Sequence, residues 1–157
     1  PDLPTDVQEQ RALLTARARA RRGDTDGAIA AIAALDSAAA DLTRADILEQ
    51  TQDWAGASQA LSKYVERIVP PSGPLDDSQR QALIRLATAA TRAGQSDLLG
   101  KLRQQDGQRI GSGPSGDLFR LLTAEPVRSA ADLQRARQET ILARGLPQEL
   151  RSVQPPR

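Results

Sequence analysis

A glycine-rich stretch at residues 111–116 comes closest to the residue types and spacing of a cofactor site. It reads Gly-Ser-Gly-Pro-Ser-Gly, which fits the letters of the dinucleotide-binding fingerprint. That fingerprint works between a buried strand and a helix, where backbone N–H groups face a pyrophosphate. Here the preceding residues 104–110 are mostly polar, and Pro114 removes one of those N–H groups. We therefore expect a hinge that leads into a helix at Asp117, and no cofactor.

The same stretch holds two serines, Ser112 and Ser115, that could in principle act as nucleophiles. The chain, however, contains no His, no Cys and no Met. Without imidazole there is no ordinary base to activate a serine, and without thiolate or imidazole the common transition-metal sites cannot form. The composition thus argues against a serine hydrolase and against a Cys/His metal centre.

Acidic residues occur as close pairs at Asp24/Asp26 and Asp76/Asp77. Paired carboxylates can perform acid–base catalysis or hold a cation. Each pair, however, stands where a helix is expected to begin, and there carboxylates accept the free N–H groups and suit the positive end of the helix dipole. We interpret both pairs as helix caps and predict no catalytic residue, no metal ligand and no enzyme activity.

The densest basic run lies within residues 11–22. On a helix with 3.6 residues per turn these side chains scatter around the axis and form no single stripe. The chain has 21 Lys plus Arg against 20 Asp plus Glu, a net charge of +1, so no global field directs it to a polyanion. The run is typical of a solvated surface; the alternative is contact with an acidic partner or a nucleic-acid backbone. Its arginines are Arg11, Arg17, Arg19, Arg21 and Arg22.

Composition predicts the fold class. Of the 157 residues, 39% are hydrophobic but only 2% are aromatic, namely Trp54, Tyr64 and Phe119. The core must therefore be built mainly from Ala and Leu, which favour helices, whereas strands favour aromatic and β-branched residues. An all-α protein with closely packed helix pairs is expected. No apolar run approaches the ~20 residues that span a membrane.

The origin of the chain is indicated only broadly. Arginine supplies nearly all of the positive charge, because Lys63 and Lys101 are the only lysines, which is typical of a GC-rich bacterial genome. The chain begins at Pro1 without Met or a signal peptide, so we expect a segment of a longer or processed protein. The lack of Cys allows either the bacterial cytoplasm or the periplasm.

Start and stop signals predict eight helices in four antiparallel pairs. Thr5 and Asp6 are expected to cap the first helix, with Gln8 and Glu9 completing a capping box. The fourth helix carries the clearest amphipathic stripe, from Ala57 to Ile68. The predicted helices are 5–22, 27–35, 38–52, 54–69, 76–93 and 96–105, then a short one that ends before Pro126 and a last one from Ser129 to Gly145.

Three of the turns between these helices share one design. They read Gly-Asp-Thr-Asp-Gly-Ala at 23–28, Gln-Asp-Trp-Ala-Gly-Ala at 52–57 and Gly-Gln-Ser-Asp-Leu-Leu at 94–99. This resembles the tetratricopeptide repeat, in which a small residue opens the second helix and a large one follows four positions later. The small positions would be Ala28 and Ala57, the large ones Ile32 and Leu61, and the small residues of the preceding helices Ala16 and Ala45.

The resemblance implies a short right-handed α-solenoid of stacked helical hairpins. Residues 1–105 would form the repeats, 106–147 a C-terminal helical cap that shields the last hydrophobic face, and 148–157 a tail. Such a solenoid presents an extended surface for a peptide or helix. We therefore expect a non-catalytic protein–protein interaction or scaffolding module of a larger bacterial protein or assembly. Its candidate contact residues are Arg11, Arg19, Arg44, Trp54 and Arg85.

Two other roles stay open at this point. The arginines could bind nucleic acid or another polyanion, which a salt titration would reveal because such binding weakens steeply with added salt. The segment could also be a structural spacer or an oligomerisation element without a separate ligand. Trp54 is of interest in either case, since it is either wedged between hairpins or exposed as a binding anchor.

Overall fold

The computed structural model describes residues 4–125, and all regular secondary structure in that range is helical. This confirms the all-α class. The chain divides into two units, 1–124 and 125–157, and the described helices belong to the first. Helices α1 to α7 span Thr5–Arg21, Thr25–Ala31, Ala38–Gln50, Trp54–Ile68, Asp77–Arg92, Ser96–Asp106 and Pro114–Thr123.

Most helix bounds lie within two residues of those expected, but the cap of α1, the end of α2 and the start of α7 differ. Helix α7 begins at Pro114 and not at Asp117. The expected cap of α1 is wrong: the helix already begins at Thr5, its N-cap is Pro4, and no side chain caps it. Helix α2 ends at Ala31, short of residue 35, because the N–H groups of Ile32, Ala33 and Leu35 bond to carbonyls three residues earlier and form tight turns. Arg44 also donates to the carbonyl of Ile32. The predicted helix from Ser129 and the tail lie outside the described residues.

The three turns that suggested a repeat have the same backbone conformation. In each, a residue with positive φ follows the first helix: Gly23 at 81°, Gln52 at 61° and Gly94 at 69°. The N–H of the next residue then bonds to a carbonyl five positions earlier, as in Asp24 to Arg19. This is the Schellman ending. The residue after the positive-φ position also serves as the N-cap of the following helix, so one short turn ends one helix and begins the next.

In two of these turns, the aspartate that caps the second helix bonds to a glycine three residues later. The carboxylates of Asp24 and Asp53 accept from the backbone N–H of Gly27 and Gly56, both at 2.9 Å. A Cβ on either glycine would collide with the capping carboxylate. In these two turns a side chain at the glycine position would force the capping carboxylate to shift. In the third turn Gln95 makes no side-chain cap, and the corresponding position is a leucine.

Helix α3 lies between two hydrophobic clusters. Ala40 and Ile47 pack with Leu13, Ala16, Ala28 and Ile32 from α1 and the α2 region. Ala45, on the opposite face of α3, packs with buried residues of α4 through α7. The alanines expected at the helix crossings, including Ala57, are fully buried. Small side chains there let the helix axes approach closely.

Helix α7 closes the described unit by packing on α5 and α6. Phe119 is fully buried, whereas Leu118 and Leu121 are exposed. Gly116 lies against the carbonyl of Gly111, where a Cβ would collide with backbone. The loop after α4 is held by Arg109, which donates to the carbonyls of Pro70 and Gly73.

No helix between residues 4 and 125 is both long and apolar enough to cross a membrane.

Candidate functional site

An open groove of about 470 Å³ lies between α1 and α3, and we call it the α1–α3 groove. Its α1 wall is basic and its α3 wall is acidic or amidic. Helices that expose small residues such as Ala20 along their contact leave space of this kind between them. The lining residues are Arg17, Ala20, Arg21, Thr43, Asp46, Ile47, Glu49 and Gln50.

Polar contacts align the two helices of the groove in the same direction. Ser37, the N-cap of α3, donates its hydroxyl to the carboxylate of Glu9 near the start of α1. Two turns further along, Arg17 donates to Thr43 over 3.1 Å. Because early residues pair with early and later with later, α1 and α3 run parallel. This fixes which side chains form opposite walls.

The acidic wall is neutralised in part by a cation from α5. Arg85 donates to both carboxylate oxygens of Glu49, at 2.9 and 2.7 Å, and also pairs with Asp46. Hydrogen bonding to Glu49, followed by that to Asp46, raises the pKa of Arg85 against the opposing effect of its partial burial. Arg85 therefore ties α5 to α3 and stays charged at any ordinary pH.

The basic wall has no such neutralisation. Within residues 4–125, Arg17 has only the Thr43 hydroxyl as a side-chain partner, and Arg21 has no hydrogen bond or ion pair from its guanidinium. The two residues are four apart and so lie on one side of α1. Two arginines of the basic run therefore share one wall of the groove. The sequence analysis did not choose either of them as a contact residue.

The five residues chosen from the sequence are not brought together at one place. Arg19 donates to the carbonyl of Gly27 and lies 3.9 Å from Asp24, so it braces the α1–α2 turn. Arg44 binds Asp41 at 2.9 Å and a backbone carbonyl at 3.0 Å, and its side chain is mostly buried. Both guanidinium groups are engaged inside the protein.

The other three candidates differ in their surroundings. Trp54 is half-buried against the core, and the guanidinium of Arg92 lies 4.5 Å from its ring centroid, a cation–π contact. Arg85 borders the acidic wall through the ion pairs described above. Arg11 is exposed on α1, outside the groove lining. A partner-binding role for these five residues remains a prediction.

A buried acidic centre was missed by the sequence analysis. Asp41 is 1% exposed, and its two oxygens accept from Arg44 and from Arg67 of α4, the latter at 2.8 Å. Arg67 also pairs with Asp36, and these acidic contacts, led by Asp41, raise its pKa. The group fastens α3, α4 and the connection after α2. One signal was present in the sequence: Asp41 lies four residues before the apolar Ala45 and so on the same, buried side of α3.

A second depression lies on the other side of the helices, between the α2 region and α4. It measures about 460 Å³ and mixes apolar residues such as Ile29 and Leu48 with Asp41, Arg44 and Lys63. The charged floor of this depression consists of the paired groups just described. Of its charged lining residues within 4–125, only the exposed Lys63 lacks an ion-pair partner. The α1–α3 groove, which has two such arginines on one wall, is therefore the stronger candidate site.

The glycine-rich stretch 111–116 has a packing role. Gly111 and Gly113 adopt positive φ of 82° and 100°, and α7 already begins at Pro114. Arg120 donates to the carbonyl of Gly111 over 3.1 Å. The loop thus turns a carbonyl toward its own helix and allows the close approach of Gly116.

Comparison with models of protein families, with curated proteins and with solved structures finds no match for this chain.

Proposed function

We propose that this chain is a non-catalytic protein–protein interaction or scaffolding module of a larger bacterial protein or assembly, built as a short solenoid of helical hairpins. The three turns of equal backbone conformation support the repeat. The resemblance to the tetratricopeptide repeat adds an expectation of how successive hairpins stack, with the first helices α1, α3 and α5 side by side and α7 as part of a cap.

Contacts between the first helices favour this arrangement. Helix α1 packs on α3 in parallel, and Arg85 of α5 reaches the acidic residues of α3. These contacts support a series in which α1, α3 and α5 follow one another, while α2 and α4 border the second depression. A row of parallel first helices is the surface on which helical repeats hold extended peptides.

The single observation that carries the proposal is the α1–α3 groove. It is open to solvent, the bond from Arg17 to Thr43 connects its two walls, and the ion pair of Arg85 with Glu49 holds the acidic wall in place. Polar groups held in place before binding lose little conformational freedom on binding, and this favours recognition of a partner.

Site-specific photocrosslinking tests the proposal. A benzoylphenylalanine in place of Gln50 puts the reactive group at the edge of the groove. The same residue in place of Gln104, exposed on α6, is the matched control. In cells of the source organism we expect one discrete adduct from position 50 and none of that mass from position 104.

A second experiment blocks the groove with a large side chain. Ala20→Trp should occupy the space between the walls and abolish the adduct at position 50, while circular dichroism checks that the helices persist. Equal adducts from positions 50 and 104, or an adduct that survives Ala20→Trp, would contradict the proposed interaction module.

A second candidate function is binding of nucleic acid or another polyanion, favoured by the arginines of α1. Within residues 4–125, Arg11, Arg17, Arg21 and Arg22 have no carboxylate partner. Polyanion binding releases counterions, so the logarithm of its affinity would fall linearly with the logarithm of salt concentration. A salt titration with heparin and with single-stranded DNA measures that slope; weak binding of both at low salt excludes this candidate.

A further inference from the structure

We infer that the partner segment recognised by the α1–α3 groove is acidic and carries an apolar side chain beside its carboxylates. This inference rests on the proposed function and specifies its ligand chemistry. It is carried by the uncompensated charge of the groove and by an exposed leucine on the same side of α1.

The charge balance of the groove favours an anionic group. Arg17 and Arg21 face Asp46 and Glu49 across the groove, and Arg85 already binds both of these carboxylates. The α1 wall therefore carries two positive charges, and Asp46 and Glu49 together with Arg85 carry one negative charge, which leaves the groove with a net charge of +1. A guanidinium has five N–H donors, and the one bond from Arg17 to Thr43 leaves most of its donors free.

The apolar part of the ligand is indicated by Leu14. Its exposed fraction is 64%, unusual for a leucine on a helix that packs against two others. Leu14 precedes Arg17 by three residues and Arg21 by seven, so all three lie on one side of α1. An apolar side chain of a partner could cover Leu14 while adjacent carboxylates reach the two arginines.

Labelled synthetic peptides test this with the full chain. The probe is a repeat of Glu-Glu-Leu; one comparison peptide has Gln in place of each Glu, and another has Ser in place of each Leu. Fluorescence anisotropy should show saturable binding of the first peptide. The Gln peptide should bind about tenfold more weakly, because a charge-assisted hydrogen bond exceeds a neutral one by roughly that factor. The Ser peptide should also bind about tenfold more weakly, because it cannot bury an apolar side chain against Leu14.

Variants of the protein locate the binding. Arg21→Glu should weaken the Glu-Glu-Leu peptide more than tenfold, and Leu14→Ser several-fold, with unchanged circular dichroism. Arg21 has no intramolecular partner in the described part of the chain, so its replacement leaves the packing intact. Lys101→Glu on α6 is the matched charge reversal away from the groove, and it should retain full affinity.

Three results would overturn the inference. In the first, the Gln peptide binds as tightly as the Glu-Glu-Leu peptide. In the second, Lys101→Glu and Arg21→Glu lose the same amount of affinity. In the third, the Glu-Glu-Leu peptide does not bind at millimolar concentration. Displacement of the peptide by single-stranded DNA with the same sensitivity to all three variants would point to a general polyanion surface. The crosslink from position 50 depends on the proximity of a partner and not on its charge. A crosslink without binding of the acidic peptide would therefore contradict this inference but not the proposed function.

Discussion

Buried charge in this protein is used to fasten helices. Asp41 lies almost without solvent contact in α3 and accepts from Arg44 of its own helix and Arg67 of α4. Within residues 4–125, no buried side-chain polar atom lacks a hydrogen-bond partner. Since an unpaired buried charge costs several kcal/mol, removal of one member of this group should destabilise the fold strongly.

Asp41→Ala should lower the free energy of unfolding by about 3 kcal/mol, because two guanidinium groups then lose their shared carboxylate. Urea denaturation followed by the fluorescence of Trp54, the single tryptophan of the chain, measures this. Asp26→Ala, which removes an exposed carboxylate from α2, is the control and should change stability by less than about 0.5 kcal/mol. Similar effects of both substitutions would show that the Asp41 centre contributes little.

The titration of Asp106 should make the protein less stable as the pH rises, whereas most carboxylates in folded proteins have the opposite effect on stability. Burial raises its pKa above the ordinary 3.8, although the Arg109 guanidinium at 2.6 Å counteracts this. The folded state therefore holds its proton more tightly than the unfolded state. The stability contribution of Asp106 is full below pH 3.8 and is lost as the pH rises through the folded pKa.

Asp106→Asn removes this titration while it keeps an acceptor for Arg109. The melting temperature of the variant relative to the parent should therefore increase as the pH rises from about 3.8 toward neutrality. Thermal unfolding in a series of buffers measures the difference. A difference that stays constant, or that falls with rising pH, would mean that the attraction of Arg109 dominates.

At the scale of the elements, the helices pair through fully buried alanines. Ala45 of α3 and Ala57 of α4 have no exposed surface and belong to the same cluster, together with Leu61. Small residues at a crossing allow close packing, and a larger side chain has no space to occupy. The turn from α3 to α4, with Gln52 at positive φ, sets the position of this crossing.

Ala57→Arg should destabilise the α3–α4 pair by more than about 4 kcal/mol, because it forces a charge and a long side chain into the crossing. Ala55→Arg on the exposed side of the same helix is the matched control and should leave the thermal midpoint nearly unchanged. Thermal unfolding followed by circular dichroism measures the midpoints of both variants. An unchanged midpoint for Ala57→Arg would mean that the repeat register is wrong.

The whole described unit presents its large exposed hydrophobic side chains at two places. Val7 and Leu14 lie on α1, and Leu118 and Leu121 on α7. Stable dimers usually bury about 800 Å² on each partner, around well-packed apolar centres. Among the described residues, two such pairs are a small basis for self-association, so we expect the chain to be a monomer.

Light scattering of the purified 157-residue chain should therefore give a mass near 16.8 kDa at micromolar concentration. Twice that mass would favour the oligomerisation role instead. In that case Leu14→Glu and Leu121→Glu identify the face involved, since a charge within an apolar contact weakens it. A dimer that is disrupted by Leu14→Glu would also place self-association in competition with the acidic ligand.

Helix class, most helix bounds and the three turns could be read from the amino-acid sequence, because they depend on neighbours within about one helical turn. Ala and Leu content indicates helices, and Asp53 with Gly56 marks a capped turn. One local prediction was wrong. Thr5 and Asp6 have side chains that can cap a helix, but α1 already begins at Thr5, so both residues lie inside its first turn.

The candidate site depends on contacts between distant positions and so came from the fold. Glu49 and Arg85 are 36 residues apart, and Arg17 and Thr43 are 26 apart. Helical periodicity places a charge on a side of its helix, but the partner that occupies that side is known only when the helices are packed. Packing therefore engages Arg44 and Arg85 internally and leaves Arg21 in an open groove, although the three are alike in sequence.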